Sequence, residues 1–315
     1  MNIVALFKET YLNWGKNDPW AKSAIIAYYT LFSLPSLLMI TVYVAGLFFG
    51  REAVQGSVTK EISGIVGPES ARAVETMIAN AALENTSALT IIIGVGMLVF
   101  AATGVFFQLQ KSLNDVWNVR AKHTGIKQIL KRRATSFGMV LIIGLLLLVS
   151  LLISATISLL SEFLGAQYSQ VSSLLIETVN FFVSQLFITA LFAAIFTVLP
   201  DVSIKWRTTL IGASFTALLF LAGKYVLSFY FAQSDPVSVY GAAGSVVLIM
   251  LWVYYTCLIL FFGAEFTVQW ALFRNLKIEP TSNAVYSYEK ELEELRAYKE
   301  RIEEERLEKH NHETR

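Results

Sequence analysis

Long, nearly uncharged apolar segments are the feature that most constrains what this chain can fold into. The segment from Tyr240 to Trp270 holds one carboxylate, Glu265, and the segment from Thr208 to Ala232 holds one base, Lys224. Each segment exceeds the roughly 20 residues that a helix needs to cross the hydrocarbon core of a bilayer. Charged residues make up 16% of the chain, whereas a soluble domain carries about 25%. The chain is therefore predicted to be a membrane protein.

Six segments meet the length and polarity requirements of a membrane-spanning helix. We predict an all-α, polytopic membrane protein with a transmembrane domain over residues 23–273. The spans are expected at about 23–49, 88–110, 134–161, 177–199, 208–232 and 241–272. The alternative for the second span, the richest in glycine, is a re-entrant segment.

Three further segments flank or interrupt the spans. Residues 1–22 have the pattern of an amphipathic helix, which either lies at the membrane interface or packs on the protein surface. Residues 50–87 are polar but patterned, which indicates short amphipathic helices outside the bilayer between spans 1 and 2. Residues 274–315 form a charge-dense tail, which we expect to be a solvated cytoplasmic helix.

Basic residues concentrate on one side of the predicted spans. Residues 111–133 hold seven lysines and arginines and residues 200–207 hold two, whereas residues 162–176 and 233–239 hold none. The positive-inside rule therefore predicts that both termini lie in the cytoplasm.

Ionisable side chains inside apolar spans cost about 2.5–3.5 kcal/mol each on insertion scales, and so indicate functional sites. A direct ion pair between Lys224 and Glu265 is not expected, because the predicted spans separate them by about 20 Å along the membrane normal. Lys224 is expected near Gln185 in the outer half of the membrane. Glu265 is expected near the cytoplasmic side, at the level of a polar group made of Gln108, Lys111, Asn114, Tyr28 and Tyr29.

An alternative interpretation gives the two charged groups no functional role. In it, Lys224 snorkels to the interface and Glu265 lies at the headgroup boundary near Arg274.

Helix shape and packing are indicated by proline and by small residues. Pro35 interrupts span 1 and predicts a kink there. Small side chains allow spans 5 and 6 to approach closely. The helix-packing residues that we predict are Gly212, Gly241, Gly244 and Ser245.

The sequence lacks the residues that a catalytic site or a metal site needs. The chain has one cysteine, Cys257, and three histidines that are scattered through polar segments. No Cys/His metal cluster and no nucleophile–base–orienter set is therefore expected. No Walker-type glycine loop is present, which argues against direct ATP coupling within the chain. We expect neither enzymatic activity nor a cofactor or metal.

A set of short motifs runs through the predicted spans and their connections. They are Ala27-Tyr28-Tyr29-x3-Ser33-x-Pro35, Leu113-Asn114-x2-Trp117, Leu199-Pro200-Asp201 before Trp206-Arg207, Gly212-Ala213, Gly223-Lys224, Tyr240-Gly241-Ala242-Ala243-Gly244-Ser245 and Gly263-Ala264-Glu265. Together they resemble the YihY/virulence factor BrkB family of bacterial inner-membrane proteins, sometimes labelled ribonuclease BN. The resemblance covers about residues 15–273 and implies a six-helix protein of the inner membrane, with lipid handling among the functions suggested for the family.

The function that these observations favour is that of a transporter or flippase-like protein, moving a lipid, an amphiphile or a small solute across the bacterial inner membrane. The alternative is a non-transporting envelope scaffold or assembly partner. The ribonuclease label finds no support in the residues, since nuclease chemistry needs clustered carboxylates or histidines.

The expected partners are membrane lipids, and either a second copy of the chain or other envelope proteins. Nucleic acid is not expected, because the basic connection after span 2 adjoins the cytoplasmic leaflet, where anionic lipid is the nearer partner. The residues expected to contact anionic lipid are Lys127, Lys131, Arg132 and Arg133.

Overall fold

The structure is a computed structural model, and it describes residues 3–31, 104–122, 171–234, 244–282 and 284–288, with single residues between 138 and 153 and between 291 and 295. Several sequence predictions lie outside these residues: the helices between 50 and 87, most of spans 1 to 3, the end of the tail, Pro35, Gly241, Lys127, Lys131, Arg132 and Arg133.

The described residues are mostly helical. The helices are α1 (Ile3–Lys16), α2 (residues 19–31), α3 (residues 104–116), α4 (Val171–Val198), α5 (Trp206–Ser234) and α6 (Gly244–Phe273). The strands are β1 (Val119–Ala121), β2 (Val202–Ser203), β3 (Glu279–Pro280) and β4 (Ala284–Tyr286).

Among the described residues, three helices are long and apolar enough to cross a membrane. The qualifying stretches are Phe181–Val198 in α4, Trp206–Phe231 in α5 and Val246–Phe273 in α6. The spans predicted at 177–199, 208–232 and 241–272 are thus present as helices whose ends differ by a few residues. The helical class is confirmed for this part of the chain, while the count of six spans and their orientation stay predictions.

Helix α5 packs against both α4 and α6. An aromatic layer joins the three helices: the ring centroids of Phe192 and Phe220 lie 5.9 Å apart, and those of Phe220 and Trp252 lie 6.1 Å apart. Phe196 and Phe261 are buried in the same hydrophobic core. Because aromatic side chains bury 150–250 Å² each as a rule, this layer is a large part of what holds the three helices together.

The short strands pair at one end of the bundle, which we call the strand-bearing end. β1 pairs antiparallel with β4, and β2 pairs antiparallel with β3. The backbone N–H of Ser287 also donates to the carbonyl of Asn118 at 2.9 Å. The segment after α6 is therefore fastened to the segments that follow α3 and α4.

The amphipathic helix predicted over residues 1–22 is divided in two. α1 ends at Lys16, Asp18 has a φ of 48°, and a second helix begins at residue 19. The Asp18 carboxylate accepts a hydrogen bond of 3.4 Å from the N–H of Ala21. An N-capping aspartate followed by Pro19 is a strong helix start, since proline is well suited to the first helical position.

Helix α6 ends in a similar way at Asn275, whose φ is 54°. The N–H of Leu276 donates to the carbonyl of Ala271 at 2.8 Å, and that of Asn275 donates to the carbonyl of Leu272 at 3.0 Å. This pair of bonds is a Schellman motif, in which asparagine tolerates the left-handed conformation. It turns the chain sharply into the strand-bearing end.

Candidate intramembrane polar sites

The register between α5 and α6 is set by a reciprocal contact between glycine and threonine. A Cβ atom at Gly212 would overlap the hydroxyl of Thr267, and a Cβ atom at Gly263 would overlap the hydroxyl of Thr216. Each hydroxyl donates to a carbonyl of its own helix: Thr216 to Gly212 and Thr267 to Gly263, both at 2.7 Å. The close approach thus leaves no hydroxyl unpaired.

The predicted close packing of spans 5 and 6 is present at Gly212. Because α5 and α6 run antiparallel, the start of α5 lies beside the end of α6, and Gly212 meets Thr267. Gly244 begins α6, at the opposite end of that helix.

The same register fixes the levels of Lys224 and Glu265. Tyr255 lies at the level of Lys224, as the contact of its ring with Gly223 also shows. Lys224 is then about ten residues, or about 15 Å, further along the bundle than Glu265. Phe220 is level with Ile259 and so lies between them, whereas Trp252 precedes Tyr255 on α6 and lies on the far side of Lys224. The separation expected from the sequence was about 20 Å, and the two charged groups do not meet.

Glu265 is held by two amide side chains. One carboxylate oxygen accepts from Gln269 Nε2 at 2.8 Å, and the other accepts from Asn17 Nδ2 at 3.2 Å. The side chain is nearly inaccessible, with 2% of the residue exposed. Gln269 stands one helical turn after Glu265, where i,i+4 side chains meet. Both oxygens are therefore satisfied by neutral donors.

Asn17 reaches Glu265 because α1 docks on α6. The Phe7 ring lies 5.7 Å from that of Phe266, and the Trp14 ring lies 5.7 Å from that of Phe262. The helix break after Lys16 then turns the next residue, Asn17, toward α6. Packing on the protein is thus one role of the N-terminal helix. Ile3, Val4 and Tyr11 remain largely exposed on it, and the interfacial role stays a prediction.

The group expected around Glu265 does not supply its hydrogen bonds. Gln108 is half-buried and Lys111 is exposed on α3, while Tyr28 and Tyr29 are exposed on α2. The Tyr29 ring rests against Gly104, 3.3 Å from where a Cβ atom would lie. The sequence placed these residues at one level, but it could not show that α1 would occupy the side of α6 that carries Glu265.

Asn114 belongs to a different contact, at the strand-bearing end. Its Nδ2 donates to the Asp201 carboxylate at 2.8 Å, and its Oδ1 accepts from the Asp201 N–H at 2.8 Å. The Asp201 carbonyl in turn accepts from the N–H of Thr281 at 3.0 Å. One asparagine thus binds both the side chain and the backbone of Asp201, and it connects the chain after α4 to α3.

Lys224 lies on the face of α5 that points into the bundle. Ala213, Ala217, Phe220 and Phe231 are buried and share this face at helical spacing. The residues just after Lys224, Tyr225 and Val226, are more than 60% exposed on the other face. Lys224 itself is half-buried. Its position on the inner face disfavours the interpretation in which it snorkels outward from a lipid-facing surface.

Gln185 and Tyr255 occupy the facing sides of α4 and α6. Gln185 stands two turns before Phe192 on the side of α4 that packs against α5, and both Gln185 and Tyr255 are half-buried. From the contact of Phe192 with Phe220, Gln185 lies within about 5 Å of the level of Lys224. The grouping of Lys224 with Gln185 agrees with this geometry, and a direct contact between them stays a prediction.

Sequence reasoning missed three participants. Gln269 had a visible signal, since a polar side chain four residues after a carboxylate inside an apolar helix is a natural partner. The only sequence signal for Asn17 was the Asn-Asp-Pro turn. It predicts that the helix ends there, but it does not show which residue Asn17 contacts. Tyr255 could be placed at the level of Lys224 only from the register of α5 against α6, which the sequence does not show.

Apolar helices long enough to cross a bilayer, with ionisable side chains inside them, define a multi-pass helical membrane protein. The sequence matches the virulence factor BrkB family over residues 11–284. The chain belongs to that family, and the resemblance seen in its motifs is confirmed.

Its relatives are chiefly described as membrane proteins. A UPF0761 membrane protein of Tolumonas auensis is 32% identical over 59% of this chain and 60% of its own length. One of Psychromonas ingrahamii is 25% identical over 84% of this chain and 86% of its own length. A ribonuclease-like protein of Bacillus subtilis, YfkH, is 24% identical over 89% of this chain and 99% of its own length. This chain therefore covers less than two thirds of the Tolumonas protein. No solved structure matches.

Proposed function

We propose that this protein is a transporter or flippase-like protein that moves a lipid, an amphiphile or a small solute across the bacterial inner membrane. One observation carries the proposal: a lysine, Lys224, lies inside an apolar span on the face that points into the bundle. Burying a charge there is costly, and such groups mark substrate or ion pathways in membrane proteins. A purely structural helix would place an apolar residue at this position.

Glu265 supports the proposal in a different way. Its oxygens are both occupied by amides from α1 and α6, which fits an anchor for the N-terminal helix. Phe192 and Phe220 of the aromatic layer lie between this anchor and Lys224, and Trp252 lies on the far side of Lys224. Movement of a substrate past that layer would require its side chains to shift, as gating elements do in transporters with alternating access.

Reconstitution into liposomes tests the proposal. Purified protein would be incorporated with fluorescent lipids or with entrapped solutes, and movement across the bilayer would be followed with time. The wild type is expected to accelerate movement of at least one cargo, and Lys224→Ala to abolish it. Lys205→Ala, at an exposed lysine of the strand-bearing end, is the control. Equal rates with and without protein for all cargoes would overturn the proposal.

The proposal includes a topology of six spans with both termini in the cytoplasm. The strand-bearing end would then face the cytoplasm. Cys257 is the only cysteine and is buried, so a Cys257→Ala background allows single reporters. Cysteines at Ser203 and Lys277 are expected to resist an impermeant maleimide in intact spheroplasts, and one at Gln233 to react. Labelling of Ser203→Cys from outside would show that the orientation is the opposite of the one proposed.

A scaffold role is the second candidate, and one observation favours it. Leu292 and Leu295 on the tail are both more than half exposed and stand three residues apart, which is the spacing of apolar neighbours on one face of a helix. Crosslinking in cells followed by affinity purification tests this role. Loss of a stoichiometric partner on changing Leu292 and Leu295 to Ser would support it.

Enzymatic activity is not part of the proposal. The ribonuclease-like description belongs to the Bacillus relative, and among the residues that the structure describes no group of three or more His, Cys, Asp or Glu side chains could hold a metal ion for nuclease chemistry. RNA incubated with purified protein and divalent metal is expected to remain intact. The partners that we propose are membrane lipids, with anionic lipid at the cytoplasmic face.

A further inference from the structure

We propose that the polar cluster around Lys224 binds an oxyanion, such as a phosphate or carboxylate group, and that the transported substrate carries this group. The inference rests on the proposed function, because it names the substrate class for the same site. The cluster comprises Lys224 and Ser228 on α5, Gln185 and Thr189 on α4, and Tyr255 on α6.

The three helices bring these side chains to one level. Lys224 and Ser228 are one turn apart on α5, so that they share a face. Tyr255 is level with Lys224 by the Gly212–Thr267 register, and its ring abuts Gly223. Thr189 and Gln185 are one turn apart on α4, where the Thr189 hydroxyl donates to the Gln185 carbonyl at 2.8 Å.

The chemistry of the cluster is that of a donor set. The lysine ammonium has three donors, the glutamine amide has two, and the phenol and serine hydroxyls have one each. Among the described residues within two turns of this level on α4, α5 and α6, none is acidic. A site rich in donors and free of acidic neighbours in this part of the chain suits an oxyanion, because hydrogen bonds between charged partners are about twice as strong as neutral ones.

The surroundings limit where such a ligand can lie. Phe192 and Phe220 lie on the side toward the strand-bearing end, and Trp252, three residues before Tyr255 on α6, lies toward the opposite end. All five members of the cluster are half-buried, which leaves part of each residue outside the packed core. The next residues of α5 present an exposed apolar and aromatic face that includes Tyr225 and Phe229. A headgroup at Lys224 would have an apolar surface beside it for attached chains.

The oxyanion could belong to a lipid headgroup or to a free anion, and two arms of one binding experiment separate these sources. Full-length protein in neutral maltoside micelles would be unfolded thermally, with tryptophan fluorescence as the signal. In the first arm, inorganic phosphate is titrated against chloride at constant ionic strength. In the second arm, phosphatidylglycerol is titrated against diacylglycerol, which has the same chains without the oxyanion.

The wild type is expected to be stabilised in at least one arm. Stabilisation by phosphate assigns a free anion, and stabilisation by phosphatidylglycerol but not diacylglycerol assigns a headgroup. Lys224→Met is expected to weaken apparent binding about tenfold or more, since a charged donor is lost. Lys224→Arg should retain binding, while Gln185→Leu and Tyr255→Phe should weaken it by smaller factors. Lys205→Met, which removes a lysine outside the cluster, should bind as the wild type does.

No stabilisation in either arm would overturn the inference, and so would equal binding by Lys224→Met and the wild type. The outcome is distinguishable from failure of the proposed function. Oxyanion binding that depends on Lys224, without movement of any cargo in liposomes, would retain the site and reject transport. Transport of an uncharged cargo that is unchanged in Lys224→Met would retain transport and reject the oxyanion site.

Discussion

Glu265 and Lys224 stand in adjacent helices of one membrane protein, and the structure treats them in opposite ways. Glu265 is almost fully buried, and both of its oxygens accept hydrogen bonds from amides. Lys224 is half-buried on an inner face that it shares with a serine one turn away. The first arrangement is a closed hydrogen-bonded anchor. The second places a charged group in a costly position, at the level of amide and hydroxyl side chains on the neighbouring helices.

The difference extends to the halves of the bundle that hold the two groups. Around Glu265 the helices are interlocked at Gly212 and Gly263, and the strands fasten the chain ends nearby. Around Lys224, Gly223 rests against the flexible side chains of Tyr255 and Ile259. The half around Glu265 is therefore the more firmly interlocked of the two.

The largest effect is expected from Gly212→Ala, which tests the stiffness of the first half. The added methyl would overlap Thr267, and overpacking of this kind costs about 3 kcal/mol at its upper end. Thermal unfolding in detergent should show a clear loss of stability. Gly15→Ala is the matched control, because nothing lies within 4 Å of that position.

The double variant Gly212→Ala with Thr267→Ala sharpens the result. It should recover part of the loss, since the smaller side chain makes room for the methyl. If Gly212→Ala were as stable as the wild type, the contact between α5 and α6 at Gly212 would be loosely packed. The contrast between the two halves would then be wrong.

The next effect is expected from Asn114→Ala. It leaves the Asp201 carboxylate and its N–H without their asparagine partner, and hydrogen bonds to charged groups contribute about 2 kcal/mol. Thermal unfolding and the protease sensitivity of the loop between α4 and α5 measure the loss. Asp115→Ala, at the neighbouring residue, breaks a partly exposed salt bridge to Lys22 and should change stability by less. If Asp115→Ala lowered stability more than Asn114→Ala does, the Asn114–Asp201 contact would not be a main support of the half of the bundle around Glu265.

A smaller and local effect is expected from Asn17→Ala. It removes one donor from Glu265, which should cost about 1 kcal/mol and loosen α1 from α6. Hydrogen exchange in α1 should accelerate, while exchange in α4 stays unchanged. Asn13→Ala is the control, since that side chain bonds to the carbonyl of Glu9 on its own helix. Unchanged exchange in the Asn17 variant would mean that Glu265 does not anchor the N-terminal helix.

The smallest effect on stability is expected from Lys224→Met. Replacing a charge in an apolar span by a side chain of similar length removes a burial cost, so stability should stay within about 0.5 kcal/mol of the wild type or rise. Transport should be lost. A strong loss of stability would make Lys224 a structural residue like Glu265 and would end the contrast between them.

Helix positions were predictable, because apolar runs of this length allow few other structures. α4, α5 and α6 lie close to their predicted bounds, and Lys224 lies at the level of Gln185 as helix arithmetic suggested. The break between α1 and α2 was also readable from Asp18-Pro19, although the amphipathic pattern of residues 1–22 concealed it.

The contacts of Glu265 were not predictable in the same way. Depth along a helix follows from counting residues, but the direction in which a residue faces follows from which helix packs there. Asn114 and Glu265 were placed at one level, yet Asn114 binds Asp201 and Glu265 binds Asn17. Only the docking of α1, through Phe7 and Trp14, decides between these partners.

The strand pairs have a consequence for how the protein is made. β1 must wait for β4, since Ala121 pairs with Ala284, and about 160 residues separate them along the chain. At typical rates of about 5–20 residues per second, the ribosome needs on the order of 10 to 30 s to supply the missing strand. During that interval both strand pairs are missing, and the contact of Asn114 with Asp201 is the connection described at this end that can already form. The last part of the domain to be synthesised is thus the part that closes it, and a chain cut short before residue 279 would lack the partners of both β1 and β2.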